Sequence, residues 1–274
     1  MEIDRRTFLN SLGGVAASEI LTHEAKADAL EDYLSTRLNE LVGLQQGASS
    51  SPFPSVADLE SQIETRPSRR GVGNLFVSRT GNVKRLDQMP PKPQLIDFFR
   101  HRFMATSNHC LQSATKALKS GMSEDVVVAC LLHDVVQEII KVDHGWWGAQ
   151  LVEPYISDKA AFAIRYHQAL RFYADPANGY EYPDLYRRIF GHDYRPEPYI
   201  ETTYKMVRAH KWYGEARMVT VNDLYAFDPN AQVSLDAFVD IIGRNFKGPR
   251  EGLGYDNSPV AHMWRTIERP DAPL

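Results

Sequence analysis

The chain of 274 residues is long enough to bury a sizeable core, and its 43% hydrophobic and 24% charged residues are typical of a globular protein. Its formal net charge of -4, without a long block of Lys and Arg, argues against a nucleic-acid or membrane partner. No apolar run approaches the roughly 18 residues of a transmembrane helix. The two cysteines, Cys110 and Cys130, exclude a disulfide scaffold. Oligomeric state stays open.

The first 28 residues have two interpretations. Arg5-Arg6, a mildly apolar segment and the small residues of "AKADA" resemble a twin-arginine export signal. Glu19 interrupts the short apolar region, so a flexible or docked arm is the alternative. Both a cytoplasmic and an exported protein therefore stay open, and residues 1–28 are left out of the predicted fold.

An N-terminal extension over residues 29–94 precedes the predicted domain. Apolar residues spaced three and four apart predict a helix at 29–46, and a short helix is predicted at 55–65. The Gly-, Pro- and Arg-containing residues that follow have no clear period. We interpret them as an irregular lead-in with a hairpin at 75–86.

Residues 95–274 are predicted to form a helical domain. The first pattern covers 95–120, as one helix or two in tandem, and the second runs from its N-cap Ser123 to residue 140. Further helices are predicted at 144–155, 158–173, 199–211, 215–227 and 235–245. The Gly- and Pro-rich C-terminal tail is expected either to cover the core or to act as a lid. The fold class that follows is an all-α bundle with one core.

The apolar stretch "VVVACLLHDVVQEII" places His133 and Asp134 where the chain is expected to be buried. An unpaired buried carboxylate is costly, so it needs a cation or strong hydrogen bonds. A metal ion supplies that cation, and imidazole together with carboxylate suits Fe, Mn or Zn. A single buried histidine is more often a hydrogen-bonded core residue than a ligand. The order of the other candidate ligands along the chain therefore decides between a metal ligand and a core residue.

Six candidate ligands occur in the helical region: His109, His133, Asp134, His144, His167 and Asp223. Their order resembles the HD-domain superfamily, whose minimal pattern is His, His-Asp and a distal Asp. Two added histidines resemble its dinuclear branch. The words "AFAIRYHQALRFY" and "NDLYAF" are similar to those of myo-inositol oxygenase. "HGWWGAQLVEPYI" resembles both that enzyme and an organophosphonate-cleaving oxygenase of the same branch. The resemblance covers residues 95–228.

This resemblance implies an HD-domain helical bundle that holds two iron ions as a mixed-valent Fe(II)/Fe(III) pair. It also implies that O2 and a small-molecule substrate react there, with C–H abstraction followed by hydroxylation or bond cleavage. In that branch Asp134 would bridge the irons. His109, His133 and Asp223 would complete one iron, and His144 and His167 the other. Mn or Zn would accept the same ligands.

The sequence departs from this pattern near the doublet. Many HD hydrolases, and myo-inositol oxygenase, continue it as His-Asp-x-Gly-Lys, whereas this chain has Val135-Val136-Gln137. Gln137 cannot act as a cation toward a phosphate, which weakens a phosphohydrolase function. Phe99 and Arg102 lie where the organophosphonate enzyme carries a Tyr and a Glu, so a different substrate is expected.

Three side chains are predicted to contact substrate: Arg102, Gln137 and Arg171. Arg171 lies one helical turn after His167, so both can share a face. A bidentate arginine suits a carboxylate or phosphonate, which favours a small polar, anionic substrate. A surface salt bridge is the alternative for each arginine. A second doublet, His192-Asp193, is interpreted as a loop feature.

Three functions follow as hypotheses. The first is a diiron oxygenase, and the second is a metal-dependent phosphohydrolase of the wider HD group. The third is a binding protein with a structural metal, which predicts a closed coordination shell.

Overall fold

A computed structural model of the chain describes Phe8 and residues 23–46, 86–137, 139–191 and 194–270. The secondary structure assigned within these ranges is helical, with eleven α-helices and no β-strand. The helices are α1 (His23–Gln46), α2 (Leu95–His101), α3 (Met104–Lys119), α4 (Glu124–Leu132), α5 (His144–Val152), α6 (Asp158–Leu170), α7 (Asp184–Phe190), α8 (Pro198–Arg208), α9 (Tyr213–Leu224), α10 (Val239–Asn245) and α11 (Ala261–Glu268). The all-α prediction is confirmed. None of these helices is both long and apolar enough to cross a membrane.

Several predictions lie outside the described residues. These are the short helix at 55–65, the hairpin at 75–86 apart from its last residue, and the second doublet, His192-Asp193. Arg5-Arg6 also lies outside them, so export stays a prediction.

The structure selects one of two alternatives for the first predicted helix pattern and corrects the end of the second. The pattern over 95–120 forms two helices, α2 and α3, as the tandem alternative has it. The prediction of one helix over 123–140 is wrong, because α4 ends at Leu132 and a turn follows. In that turn the backbone N–H of Gln137 donates to the Asp134 carbonyl at 3.0 Å. This bond spans three residues instead of the four of an α-helix. Local apolar periodicity does not reveal this change of bonding.

The core surrounds α4. Every residue over 126–132 is buried, so this helix is apolar on all sides and occupies the middle of the bundle. Helices α3, α6 and α9 pack against it, and α5 packs against α6. The residues that directly follow α4 therefore enter the centre of the bundle.

Helix α1 packs on this bundle through a second apolar cluster. Ala27 and Leu30 of α1, together with Phe8, lie in that cluster with Phe172 and Tyr186. Residues 23–28, which were left out of the predicted fold, form the first turns of α1, and this agrees with the docked-arm alternative for that segment. The periodicity of 29–46 indicated the helix but not where it begins.

The C-terminal tail covers the core beside α2. Trp264 of α11 is fully buried, and its ring lies 4.7 Å from that of Phe98, measured between centroids. Its indole N–H donates to the Leu151 carbonyl at 3.2 Å. Leu253 likewise donates its amide to the Pro93 carbonyl at 2.8 Å. These contacts support the covering role of the tail.

Candidate metal centre

Five structural elements bring the six candidate ligands together. His109 comes from α3, the doublet from the turn after α4, His144 from the start of α5, His167 from α6 and Asp223 from α9. All six are buried. Their ligand atoms form two groups, and within each group they lie within 4.8 Å of one another. The groups are His109, His133, Asp134 and Asp223, and Asp134, His144 and His167. Asp134 belongs to both.

The two oxygens of Asp134 face different histidines. Oδ1 lies 3.0 Å from Nε2 of His144, 3.5 Å from Nε2 of His133 and 3.6 Å from Nε2 of His167. Oδ2 lies 3.4 Å from Nε2 of His109. Neighbouring side chains on a regular helix point about 100° apart, so the turn after α4 helps His133 and Asp134 to reach one centre. This carboxylate is placed as a bridge between two cations would be.

Backbone carbonyls hold all four histidine rings. Each ring places Nδ1 within hydrogen-bond distance of one carbonyl: His109 with Ala226 (3.2 Å), His133 with Cys130 (2.8 Å), His144 with Lys141 (2.8 Å) and His167 with Ile164 (2.7 Å). Because a carbonyl only accepts, Nδ1 is the protonated nitrogen and Nε2 is left for the cluster. Histidines that bind metals are oriented in this way.

Several polar atoms of the cluster lack partners that a metal would supply. Nε2 of His109 lies 3.1 Å from Nε2 of His133, so in neutral rings two lone pairs face each other. Both carboxylate oxygens of Asp134, and Nε2 of His144 and of His167, are buried without a hydrogen-bond partner. Such groups are costly unless a cation compensates them. The donor set therefore fits two metal ions.

The electrostatics of the protein without metal point the same way. Burial alone would lower the pKa of His109, but the nearby Asp134 and Asp223 carboxylates outweigh it and raise that pKa well above its usual value. Burial also opposes the rise at His144, where Asp134 is the main cause of a pKa of about 10. Burial keeps the pKa of His167 below its usual value. Without metal, protons on His109 and His144 balance the carboxylates, and metal ions would replace those protons.

Helix α1 adds two acids that the sequence analysis missed. Asp28 and Glu31 are buried, and Oε2 of Glu31 lies 3.4 Å from Nε2 of His144. Burial, followed by the charges of Asp134 and Asp223, raises the pKa of Glu31 to about 8. Asp28, Glu31 and His144 form a third group that could hold a metal ion. Their spacing of three residues on one helix was a usable signal, but the predicted helix began one residue after Asp28.

Arg171 pairs with both of these acids. Its Nη1 donates to Oε2 of Glu31 at 2.8 Å, and its Nη2 donates to Oδ1 of Asp28. Gln168 joins the network, because its amide donates to Oδ1 of Asp28 at 2.9 Å and accepts from the Gly145 amide at 2.7 Å. Arg171 thus lies beside the centre, as expected. The surface alternative is wrong for this residue, since it is buried.

Arg102 and Gln137 have different placements. The Arg102 guanidinium donates to the Glu268 carbonyl at 2.7 and 2.9 Å, and also to the carbonyls of Asp87 and His101. These bonds join α11 to the start of the domain, so the expected substrate contact of Arg102 is not supported. Gln137 is fully buried, and the nitrogen and oxygen of its side-chain amide have no hydrogen-bond partner among the described residues. Its role toward substrate stays a prediction.

A cavity of about 190 Å3 adjoins the centre. Its lining includes Glu31, Arg171 and Asp223. Glu31 and Asp223 are 7% and 6% exposed, whereas Asp134 and His144 are completely buried. The small exposure of the two acids indicates that a molecule in the cavity would meet the centre on this side.

Gly145 allows α5 to approach α6 at the centre. A Cβ atom there would lie 2.8 Å from the Ile164 carbonyl oxygen and 2.9 Å from Cε1 of His167. Gly145→Ala should therefore displace His144 or His167, with about 1–3 kcal/mol lost from overpacking. We expect roughly 10- to 100-fold weaker binding of one metal, the usual effect of disturbing groups that orient ligands. Metal titration would measure it.

The matched control is Gly214→Ala, because nothing lies within 4 Å of a Cβ at that position. Equal metal affinity in the two variants would show that the close approach at Gly145 does not matter to the centre.

Comparison with known protein families agrees with this geometry. Residues 106–211 match the model of the HD domain. The matched segment contains five of the six candidate ligands, and Asp223 follows it on α9. The comparison with curated proteins gave no match. Together with the helical bundle around the cluster, the match supports an HD domain at residues 106–211, and proteins with this domain are generally metal-dependent enzymes.

Proposed function

We propose that the chain is an O2-dependent dinuclear non-haem iron oxygenase. It would abstract hydrogen from a C–H bond of a small-molecule substrate, followed by hydroxylation or bond cleavage. The observation that carries the proposal is Asp134, which belongs to both candidate metal groups and turns one oxygen toward His144 and the other toward His109. The HD match supports the coarser class of metal-dependent hydrolases and oxygenases, and iron and O2 are the proposed part.

The protein would hold and orient the ions. His109, His133 and Asp223 would bind one ion, and His144 and His167 the other, with Asp134 between them. When bound, the ions supply Lewis acidity, redox chemistry and a template for substrate and O2. The carbonyl bonds to the four Nδ1–H groups fix the rings and keep each Nε2 available. Burial of the ligands excludes water from the reacting atoms, apart from the side open to the cavity.

The proposed ligand sets differ from a closed structural site. They provide four and three protein groups, with Asp134 counted in both. An ion that accepts six ligands would keep free positions in either set, whereas structural metals have filled shells. A purely structural metal is therefore less well supported than a catalytic one.

A metal-dependent phosphohydrolase is the second candidate, because the HD domain also occurs in hydrolases. Two observations count against it. Gln137 stands where many HD hydrolases have a lysine. Moreover, the Arg171 guanidinium beside the centre is already paired with Asp28 and Glu31, so a phosphate would have to compete with two carboxylates.

The first test is the metal content of the full chain expressed in iron-rich medium, combined with EPR and Mössbauer spectroscopy. We expect two irons per chain and the signal of a coupled mixed-valent pair. One metal per chain, or two metals without iron, would contradict the proposal. The hydrolase would then be tested with a panel of phosphoesters in the presence of Mn or Co, without O2.

A further inference from the structure

The cavity beside the centre points to a class of substrate. We infer that the proposed oxygenase acts on a small amphipathic alcohol, with an apolar body in the cavity and a neutral hydroxyl toward Glu31 and Asp223. This inference rests on the proposed function and replaces the anionic substrate expected from the two arginines. Its support comes from the size of the cavity, its apolar lining and the absence of an uncommitted cationic side chain among the described residues that line it.

The cavity suits an apolar body. Its lining includes Leu30, Leu34, Leu185, Leu224 and Phe227, from three separate parts of the chain. Its volume of about 190 Å3 exceeds that of an engineered cavity of about 150 Å3 that binds benzene. A body of about six to eight non-hydrogen atoms would fit such a space. A highly hydrated polyol or phosphate would leave these side chains without apolar contact.

The charges around the cavity disfavour an anion. Among the described residues that line it, Arg171 is the one with a cationic side chain. Its Nη1 and Nη2 already donate to Glu31 and Asp28. To pair with Arg171, a substrate carboxylate would have to displace one of these acids, and it would also lie beside Asp223. Leaving a buried charge without its partner is strongly unfavourable.

The polar side chains at the cavity favour a hydrogen-bond donor. The Tyr180 hydroxyl donates to the Arg171 carbonyl at 2.8 Å, and the Thr220 hydroxyl donates to the His167 carbonyl at 2.9 Å. Both of these donors are therefore already used within the protein, and Tyr186, which also lines the cavity, is not without a partner. Glu31 and Asp223 contribute acceptor oxygens. A neutral hydroxyl can donate to one of them without introducing a charge into the cavity.

The inference is tested by calorimetric binding to the metal-loaded full chain in the absence of O2. The probes are straight-chain alcohols from ethanol to 1-hexanol, with hexanoate and acetate for comparison. We expect about fourfold tighter binding for each added methylene, the effect of burying one CH2 group. Acetate measures what a carboxylate gains from the metals alone, and hexanoate should gain much less over acetate than 1-hexanol gains over ethanol. Tighter binding of hexanoate than of 1-hexanol, or no dependence on length, would overturn the inference.

Two variants locate the binding site. Leu185→Phe fills part of the cavity and should weaken 1-hexanol roughly tenfold, the loss of one to two buried methylenes, while ethanol is unaffected. Leu118→Phe, at an exposed position, is its control and should change neither. Glu31→Gln replaces one carboxyl oxygen by an amide NH2, a hydrogen-bond donor, at nearly constant volume, so it should improve hexanoate relative to 1-hexanol. No change with Leu185→Phe or Glu31→Gln would place the ligand elsewhere.

These experiments are independent of turnover. A chain that lacks two irons would refute the oxygenase, whereas the binding series alone decides whether the cavity prefers a neutral amphipathic ligand.

Discussion

Replacing Asp134 by alanine should abolish the binding of both metals. Asp134 is the residue shared by the two candidate groups, and its oxygens lie 3.0 Å from Nε2 of His144 and 3.4 Å from Nε2 of His109. Without it, each group loses a carboxylate, and the second group has only two histidines. Metal analysis of purified protein should show a fall from two ions per chain to none.

The histidine variants provide the contrast. His144→Ala or His167→Ala should remove mainly one metal, because both residues belong to the second group and neither belongs to the first. Asp236→Ala is a matched control, because the Asp236 side chain is 81% exposed and belongs to none of the candidate metal groups. Loss of both metals to the same extent in all three site variants would contradict the assignment of two sites.

Replacing Arg171 by methionine should destabilise the fold strongly. Arg171 is buried and paired with the buried carboxylates of Asp28 and Glu31. Methionine keeps an apolar stem but leaves both acids without their cation. Removing one partner of a buried ion pair typically costs about 3–5 kcal/mol in the free energy of unfolding. Urea denaturation followed by circular dichroism would measure the loss.

The loss should depend on pH. Without Arg171, the pKa of Glu31 in the folded state should rise further above its unfolded value. Between the unfolded and folded pKa values the folded state then binds more protons, so stability increases as pH falls. The pKa of Glu31 is already about 8, so the deficit should be greatest above pH 8 and smaller near pH 6. Arg37→Met, at an exposed pair with Glu40, should show little change at either pH. An equal deficit at both pH values would argue against unpaired carboxylates.

The position of α1 bears on the predicted export signal. The word "AKADA" occupies residues 25–29, within the first turns of this helix. Cleavage there would remove Ala27 from the second apolar cluster and Asp28 from its bonds with Gln168 and Arg171. An exported protein with this centre intact would therefore have to keep these residues or be cleaved before them.

Most of the candidate metal ligands could be identified from the sequence. Histidines and a carboxylate in strongly apolar patterns are costly when buried, so such residues narrow the search by themselves. The resemblance to the HD superfamily then supplied their grouping, and the structure brings the same six side chains together. It did not supply Asp28, which had been left out of the predicted fold, or Glu31, which lies in the N-terminal extension before the predicted domain.

Local sequence patterns and long-range packing therefore determined different features of the structure. Apolar periodicity determined the all-α class and the buried character of α4, because both depend on residues a few positions apart. The end of α4 at Leu132, the partners of Arg102 and Arg171, and the cavity beside Asp223 were decided only by the tertiary structure. Arg171 meets Glu31 across 140 positions of sequence, and Arg102 meets Glu268 across 166. No local period encodes such pairs, since they form only when separate helices pack and buried charges must find partners.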